Sequence, residues 1–205
     1  MDVGGPRKGF DAAVIDRRGV RAIARLRDAR DTAAWLAAFE PRLVAVDAPC
    51  APARDGEASR GCERELARRV CGIRYTPDER ALRSHARGYY DWVLNGFELY
   101  GALDGLETVE CFPTATWTRL AGPRGRRTRA AWSSHALAGL GLAGVPAGLG
   151  QDGRDAIAAA VTARLLDDGR CELLGVIAVP VSDGTRPAFD APVDEISKDT
   201  LPRID

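Results

Sequence analysis

Residues 43–49 read LVAVDAP, four apolar residues running directly into Asp47 and then Ala48-Pro49. A continuous apolar run this short suits a central strand covered on both sides, which requires helices above and below a sheet. The run also sets an ionisable carboxyl at the end of that strand. Acids are depleted in strands and costly to bury unpaired, so an acid there needs a reason. Two further strand-like segments repeat the pattern: GFDAAVID (9–16) carries Asp11 and ETVECFP (107–113) carries Glu110. In open α/β sheets, ligands bind outside the carboxyl ends of the strands.

Between these segments the periodicity alternates. GVRAIARL (19–26) reads as a second strand after the Arg18-Gly19 turn. Asp31 is expected to cap a helix, DTAAWLAAFE, closed by Pro41. A charged helix follows over Glu57–Val70, and GYYDWVLNGFELYGAL (88–103) repeats Tyr89, Trp92, Val93, Phe97 and Tyr100 at helical spacing. Those aromatics fit a core face better than a base-stacking platform. Thr114–Leu120 and Ala130–Leu142 read as helices around the arginine-dense loop AGPRGRRTR. Asp152 opens the most regular helix, DGRDAIAAAVTARLLDDG; CELLGVIAVPV reads as a terminal strand, and a polar tail runs from Ser182 to Asp205. The expected architecture is α/β, a sheet of mixed direction with helices on both faces, in one domain with its core at about 9–180.

Charge narrows the function. Lys+Arg and Asp+Glu balance at 29 each over 205 residues, which argues against a non-specific DNA-binding track but leaves room for local patches. Five cysteines without a C-x-x-C pair and only two histidines exclude a Cys/His zinc site, so the thiols are expected reduced and mostly buried. No apolar run reaches bilayer length and MDVGGPRKGF lacks the apolar stretch of a signal peptide, so no membrane and a cytoplasmic location are expected. Ser134 and His135 are neighbours on a helix and point different ways, against a nucleophile triad.

The acids carry the chemistry. Asp152 and Asp155 lie three apart in the first turn of their helix, on nearly one side. Asp152 serves there as ligand or as helix cap; Asp47 as ligand, as base, or as cap of the turn at Ala48-Pro49. With Asp11 and Glu110 they supply up to five carboxylates and no Cys or His partner. That donor set suits Mg²⁺ or Mn²⁺. Clustered carboxylates repel unless a cation neutralises them, and two ions can support in-line displacement at a phosphodiester.

The series G-F-D, V-A-V-D-A-P, S-R-G-C-E-R-E-L-A-R-R, V-E-C-F-P and Q-D-G-R-D-A-I-A-A-A-V-T-A-R, over roughly Gly9–Pro180, resembles the DUF429 family of predicted nucleases. The resemblance implies a ribonuclease H-like fold. The D-x-x-D-A helix start is also similar to that of Holliday-junction resolvases. It implies that Asp11, Glu110, Asp152 and Asp155 are metal ligands and that Asp11, Asp47, Glu110 and Asp155 form the catalytic set.

Two arginine groups offer phosphate contacts: Arg60, Arg64 and Arg68 at one-turn spacing, and Arg127 in the arginine-rich loop. Each reads equally as a solvated face. The expected function is metal-dependent phosphodiester hydrolysis on a nucleic acid or a phosphorylated small molecule. The alternatives are a nucleotide-binding relative of the actin and sugar-kinase group and a non-catalytic binding module. The nucleotide-binding reading wants a glycine-rich turn after the first strand, whereas Gly4-Gly5 precede the segment read as that strand.

Overall fold

The hairpin expected at Arg18-Gly19 forms: β2 (Phe10–Asp16) pairs antiparallel with β3 (Gly19–Leu26) from Phe10↔Leu26 to Asp16↔Gly19. Ahead of it lies a strand with no sequence signature, β1 (Asp2–Val3), pairing antiparallel with β2 through Asp2↔Asp11 and Val3↔Phe10. Two residues are too few to display alternation. The turn between them is closed by the Gly4 N–H donating to Gly9 O at 2.9 Å and the Lys8 N–H to Gly5 O at 2.8 Å. Gly9 has φ 71° and any Cβ there would lie 2.2 Å from Leu26 O, so only glycine fits.

This computed structural model describes residues 1–182, the side chain of Arg87 excepted; the expected polar tail falls, but for Ser182, outside the described residues. The outer edge of β1 lies along the end of β4 (Val44–Val46). The Met1 nitrogen donates to Ala45 O at 2.9 Å, the Asp47 N–H donates to Met1 O at 2.8 Å, and Asp2 bridges Asp47 in parallel. β4 then pairs in parallel with β5 (Thr108–Cys111), and β5 in parallel with β7 (Ile177–Pro180). The segment CELLGVIAVPV is not one strand: it folds at Gly175 (φ 62°) into the antiparallel pair β6 (Cys171–Leu174) and β7. The strands thus follow one another as β3-β2-β1-β4-β5-β7-β6, joined at the Asp2–Asp47 bridge.

The helices are α1 (Ala29–Ala37), α2 (Gly61–Arg69), α3 (Glu79–Ser84), α4 (Asp91–Ala102), α5 (Pro113–Ala121), α6 (Arg129–Ala138) and α7 (Gln151–Asp167). The cap of α1 is Asp28 rather than Asp31: the Asp28 carboxylate accepts the Asp31 N–H at 2.8 Å. On one face of the sheet Val3, Phe10, Ala12, Val44 and Val46 pack against Leu36 of α1 and Leu99 of α4. On the other, Ala13 meets Ala156, Ile157 and Val161 of α7, and Ala45 and Cys111 meet Ala159 and Ala163. Alanines along α7 let its backbone approach the strands, while Trp117 of α5 and Trp132 of α6 close the outer side. Helices therefore cover both faces, and no helix among the described residues is long and apolar enough to cross a membrane.

The close fit of α4 to the LVAVDAP turn is set by Gly96, where an added Cβ would stand 2.6 Å from Ala48 Cβ. Gly96→Ala should destabilise the protein by about 1–3 kcal/mol through overpacking, read from urea unfolding midpoints.

Candidate carboxylate site

Residues paired across a ladder point to the same face of a sheet. Asp2 pairs with Asp11 on one side and bridges Asp47 on the other, so strand register alone delivers three carboxyls to one face. That is the face covered by α7, which brings Asp152 in its first turn and Asp155 one turn further on. Carboxylate oxygens of Asp2, Asp11 and Asp152 lie within 4.8 Å of one another. The cap of α7 is Gly150, so Asp152 sits inside the first turn and does not serve as the cap.

Cations hold part of this charge. Arg25 reaches Asp11 at 3.0 Å, Lys8 reaches Asp152 at 2.6 Å, and Arg129 reaches Asp155 at 2.8 Å. Asp155 also accepts from the Trp117 indole N–H at 3.0 Å and from the Gln151 amide at 3.0 Å. Asp2 and Asp47, by contrast, have no ion pair and no side-chain hydrogen bond among the described residues. Burial, reinforced by Asp155 and Asp152, pushes the Asp2 carboxyl up to about 7. Burial, then Asp2 and Asp155, raises Asp47 well above the usual carboxylate range. Among the described residues no backbone donor reaches the Asp47 side chain, so none of them is capped by it at the turn of Ala48-Pro49.

Glu110 does not join this group. It pairs with Val46, one residue before Asp47, and therefore points to the opposite face. There Arg60 grips it through Nη1 at 2.8 Å and Nη2 at 2.5 Å, and the Cys50 N–H adds a bond at 3.0 Å. Arg60 also donates to Glu63 at 2.9 Å, and Glu63 accepts the Thr76 N–H at 3.0 Å. The expectation of Glu110 as a ligand and of Arg60 as a phosphate contact is corrected together: each neutralises the other in the interior.

Of the other expected phosphate arginines, Arg64 and Arg68 lie one turn apart on the exposed side of α2, and Arg127 lies on its separate loop. Arg64 donates to Ser59 O at 2.6 Å; Arg68 is exposed; Arg127 staples its own loop through Pro123 O at 2.8 Å and Arg124 O at 3.0 Å. The basic side chains at the acids are instead Lys8, Arg25 and Arg129. Asp2 is the acid the sequence reading missed. Its only signal is an Asp two residues ahead of Gly4-Gly5, and the role appears only through pairing with β2 and the end of β4. This also reverses the reading of the glycines, which follow the first strand after all.

A cavity of about 750 Å³ opens beside Asp47, Lys8 and Arg129. A second, of about 490 Å³, lies toward the far end of α7, roughly 20 Å away along the helix at about 1.5 Å per residue. Several of its wall charges pair with one another, Arg42 with Asp167 at 2.8 Å and Arg164 with Asp168 at 2.8 Å. Against protein-family models, curated proteins and solved structures alike, the chain finds no match.

The raised Asp2 carboxyl has a signed consequence. Folded Asp2 keeps a proton that the unfolded chain releases between about pH 4 and 7, so stability falls as pH rises through that window. Asp2→Asn removes the penalty: the variant should match the parent near pH 4 and exceed it at pH 8 by up to roughly 4 kcal/mol, at about 1.4 kcal/mol per unit. Thermal unfolding across pH reads this directly, and equal pH slopes would refute it. Glu110→Gln, in contrast, should cost about 3 kcal/mol because it leaves Arg60 short of charge in the interior. Unfolding in urea at pH 7 measures it.

Proposed function

We propose that the protein is a divalent-metal-dependent phosphodiester hydrolase with a ribonuclease H-like fold. One observation carries the reading: acids from β1, β2, the end of β4 and the first turn of α7 meet on one face, with Asp2 and Asp47 uncompensated. The fold part is supported by the strand order, in which β1 lies between an antiparallel hairpin and a parallel strand. The sequence elements V-D-A-P and D-x-x-D-A support it further.

The donors fit a hard cation. They are carboxylate oxygens without sulfur or imidazole, and the upward push on Asp2 and Asp47 is what an adjacent positive charge relieves. Asp2, Asp11 and Asp152, whose carboxylate oxygens lie within 4.8 Å of one another, would hold the ion, with Asp47 and Asp155 beside them. A bound Mg²⁺ or Mn²⁺ supplies a water of lowered pKa and charge stabilisation at the phosphoryl oxygens. The chain itself fixes Asp155 through Trp117 and Gln151, so that carboxylate needs little reorganisation. Lys8 and Arg129 both line the cavity beside the acids and stand where they can meet phosphate oxygens. The substrate is accordingly a nucleic acid or a phosphorylated small molecule.

A second reading, nucleotide binding without hydrolysis, is favoured by the Gly4-Gly5 turn after β1. Mn²⁺ titration by calorimetry, together with Mn²⁺-dependent hydrolysis of bis(p-nitrophenyl) phosphate, separates the two. The parent should bind Mn²⁺ and turn over; Asp2→Asn and Asp47→Asn should each weaken binding at least tenfold and abolish turnover. Unchanged Mn²⁺ affinity in both variants would refute the hydrolase. Stabilisation by ATP with no turnover would favour the second reading.

A further inference from the structure

The cavity beside the carboxylates has more in it than the metal reading uses. Its 750 Å³ lies within the range of small-molecule pockets, about 300–1,000 Å³. Trp92 and Phe112, both half-buried, line it, and Trp132 forms a buried part of its wall. The Trp132 indole is already satisfied by Gly122 O at 3.0 Å. The Trp92 indole N–H is not: it is buried and has no acceptor. A buried donor without a partner is costly, and a ligand acceptor is the natural remedy.

Charge points the same way. Arg74 and Arg124 line the cavity, and neither has a carboxylate partner among the described residues. The Arg74 guanidinium rests 5.3 Å from the centroid of the Tyr89 ring, which steadies it without neutralising it. At the other end the cavity reaches Asp47 and Lys8, hence the carboxylate group. Flat aromatic walls, an unsatisfied N–H, two free guanidiniums and an adjoining acidic centre describe the complement of one planar heteroaromatic ring carrying a phosphate.

We infer that this cavity binds a single nucleotide, either free or as the end of a strand, and so names the unit of substrate presented to the carboxylates. The inference rests on the hydrolase reading for its purpose but not for its test, because binding is measured in EDTA. Calorimetry with the full chain should show AMP binding, with ribose 5-phosphate at least tenfold weaker for want of the ring. Trp92→Phe keeps an aromatic ring but loses the indole N–H and part of the stacking surface; it should weaken AMP three- to tenfold and leave ribose 5-phosphate unchanged. Arg124→Gln, on an exposed loop where folding is not at risk, should weaken both ligands alike.

A linear tetranucleotide that displaces AMP identifies a strand end as the occupant, and one that does not identifies the free nucleotide; both agree with the inference. A circular oligonucleotide binding as tightly as the linear one would overturn it, since the cavity would then be reading internal nucleotides. Equal affinity for AMP and ribose 5-phosphate, or no AMP binding, would also overturn it. If AMP binds while Mn²⁺ does not, the hydrolase reading fails and the nucleotide pocket stands.

Discussion

The two-residue strand β1 governs everything at the candidate site. By pairing with β2 on one side and meeting the end of β4 on the other, it sets Asp2 between Asp11 and Asp47. Backbone ladders do not yield to side-chain repulsion: the Met1 and Asp47 hydrogen bonds to their neighbours fix the register, and the carboxyls must then coexist. The result is an acid pushed up to about 7, by burial first and then by Asp155 and Asp152. Such an arrangement costs stability, which is why it is informative: structural packing alone has no use for it.

α7 completes the arrangement by a different physical route. Alanines along its inner side bring it close over the strands, and Trp117 and Trp132 seal it from outside. Its first turn is thereby held above Asp2 and Asp47. Lys8, Arg25 and Arg129 offset part of the assembled charge, Lys8 at Asp152, Arg25 at Asp11 and Asp152, and Arg129 at Asp155. They leave Asp2 and Asp47 without an ion pair among the described residues. The same cations border the cavity or the acids.

The sheet also works as a divider. Glu110 is one ladder position from Asp47, yet the pleat sends it to the other side, where Arg60 and Glu63 make it part of an interior network. Buried ion pairs of this kind tie loops to strands: Arg60 joins the start of α2 to β5, and the Cys50 N–H joins the chain after LVAVDAP to the same carboxylate. Two acids on adjacent strands thus have opposite duties. One is paired and structural, the other unpaired and exposed to the candidate chemistry.

The sequence by itself determined the covered strand LVAVDAP, the hairpin of β2 and β3, the positions of most helices and the alternation that makes a mixed sheet. These follow from local periodicity, which needs only a few residues to declare itself. It also held Asp11, Asp47, Asp152 and Asp155, since acids in or just after an apolar strand and near a helix start are visible in one dimension. Tertiary structure decided the rest. Asp2 lies in a strand too short for any pattern, and its role comes wholly from its neighbours across the ladder. Glu110 and Arg60 looked like ligand and phosphate contact because sequence carries no record of which face a pleated residue takes; a shift of one residue reverses it. Which acids meet, and which are neutralised, was a matter of register.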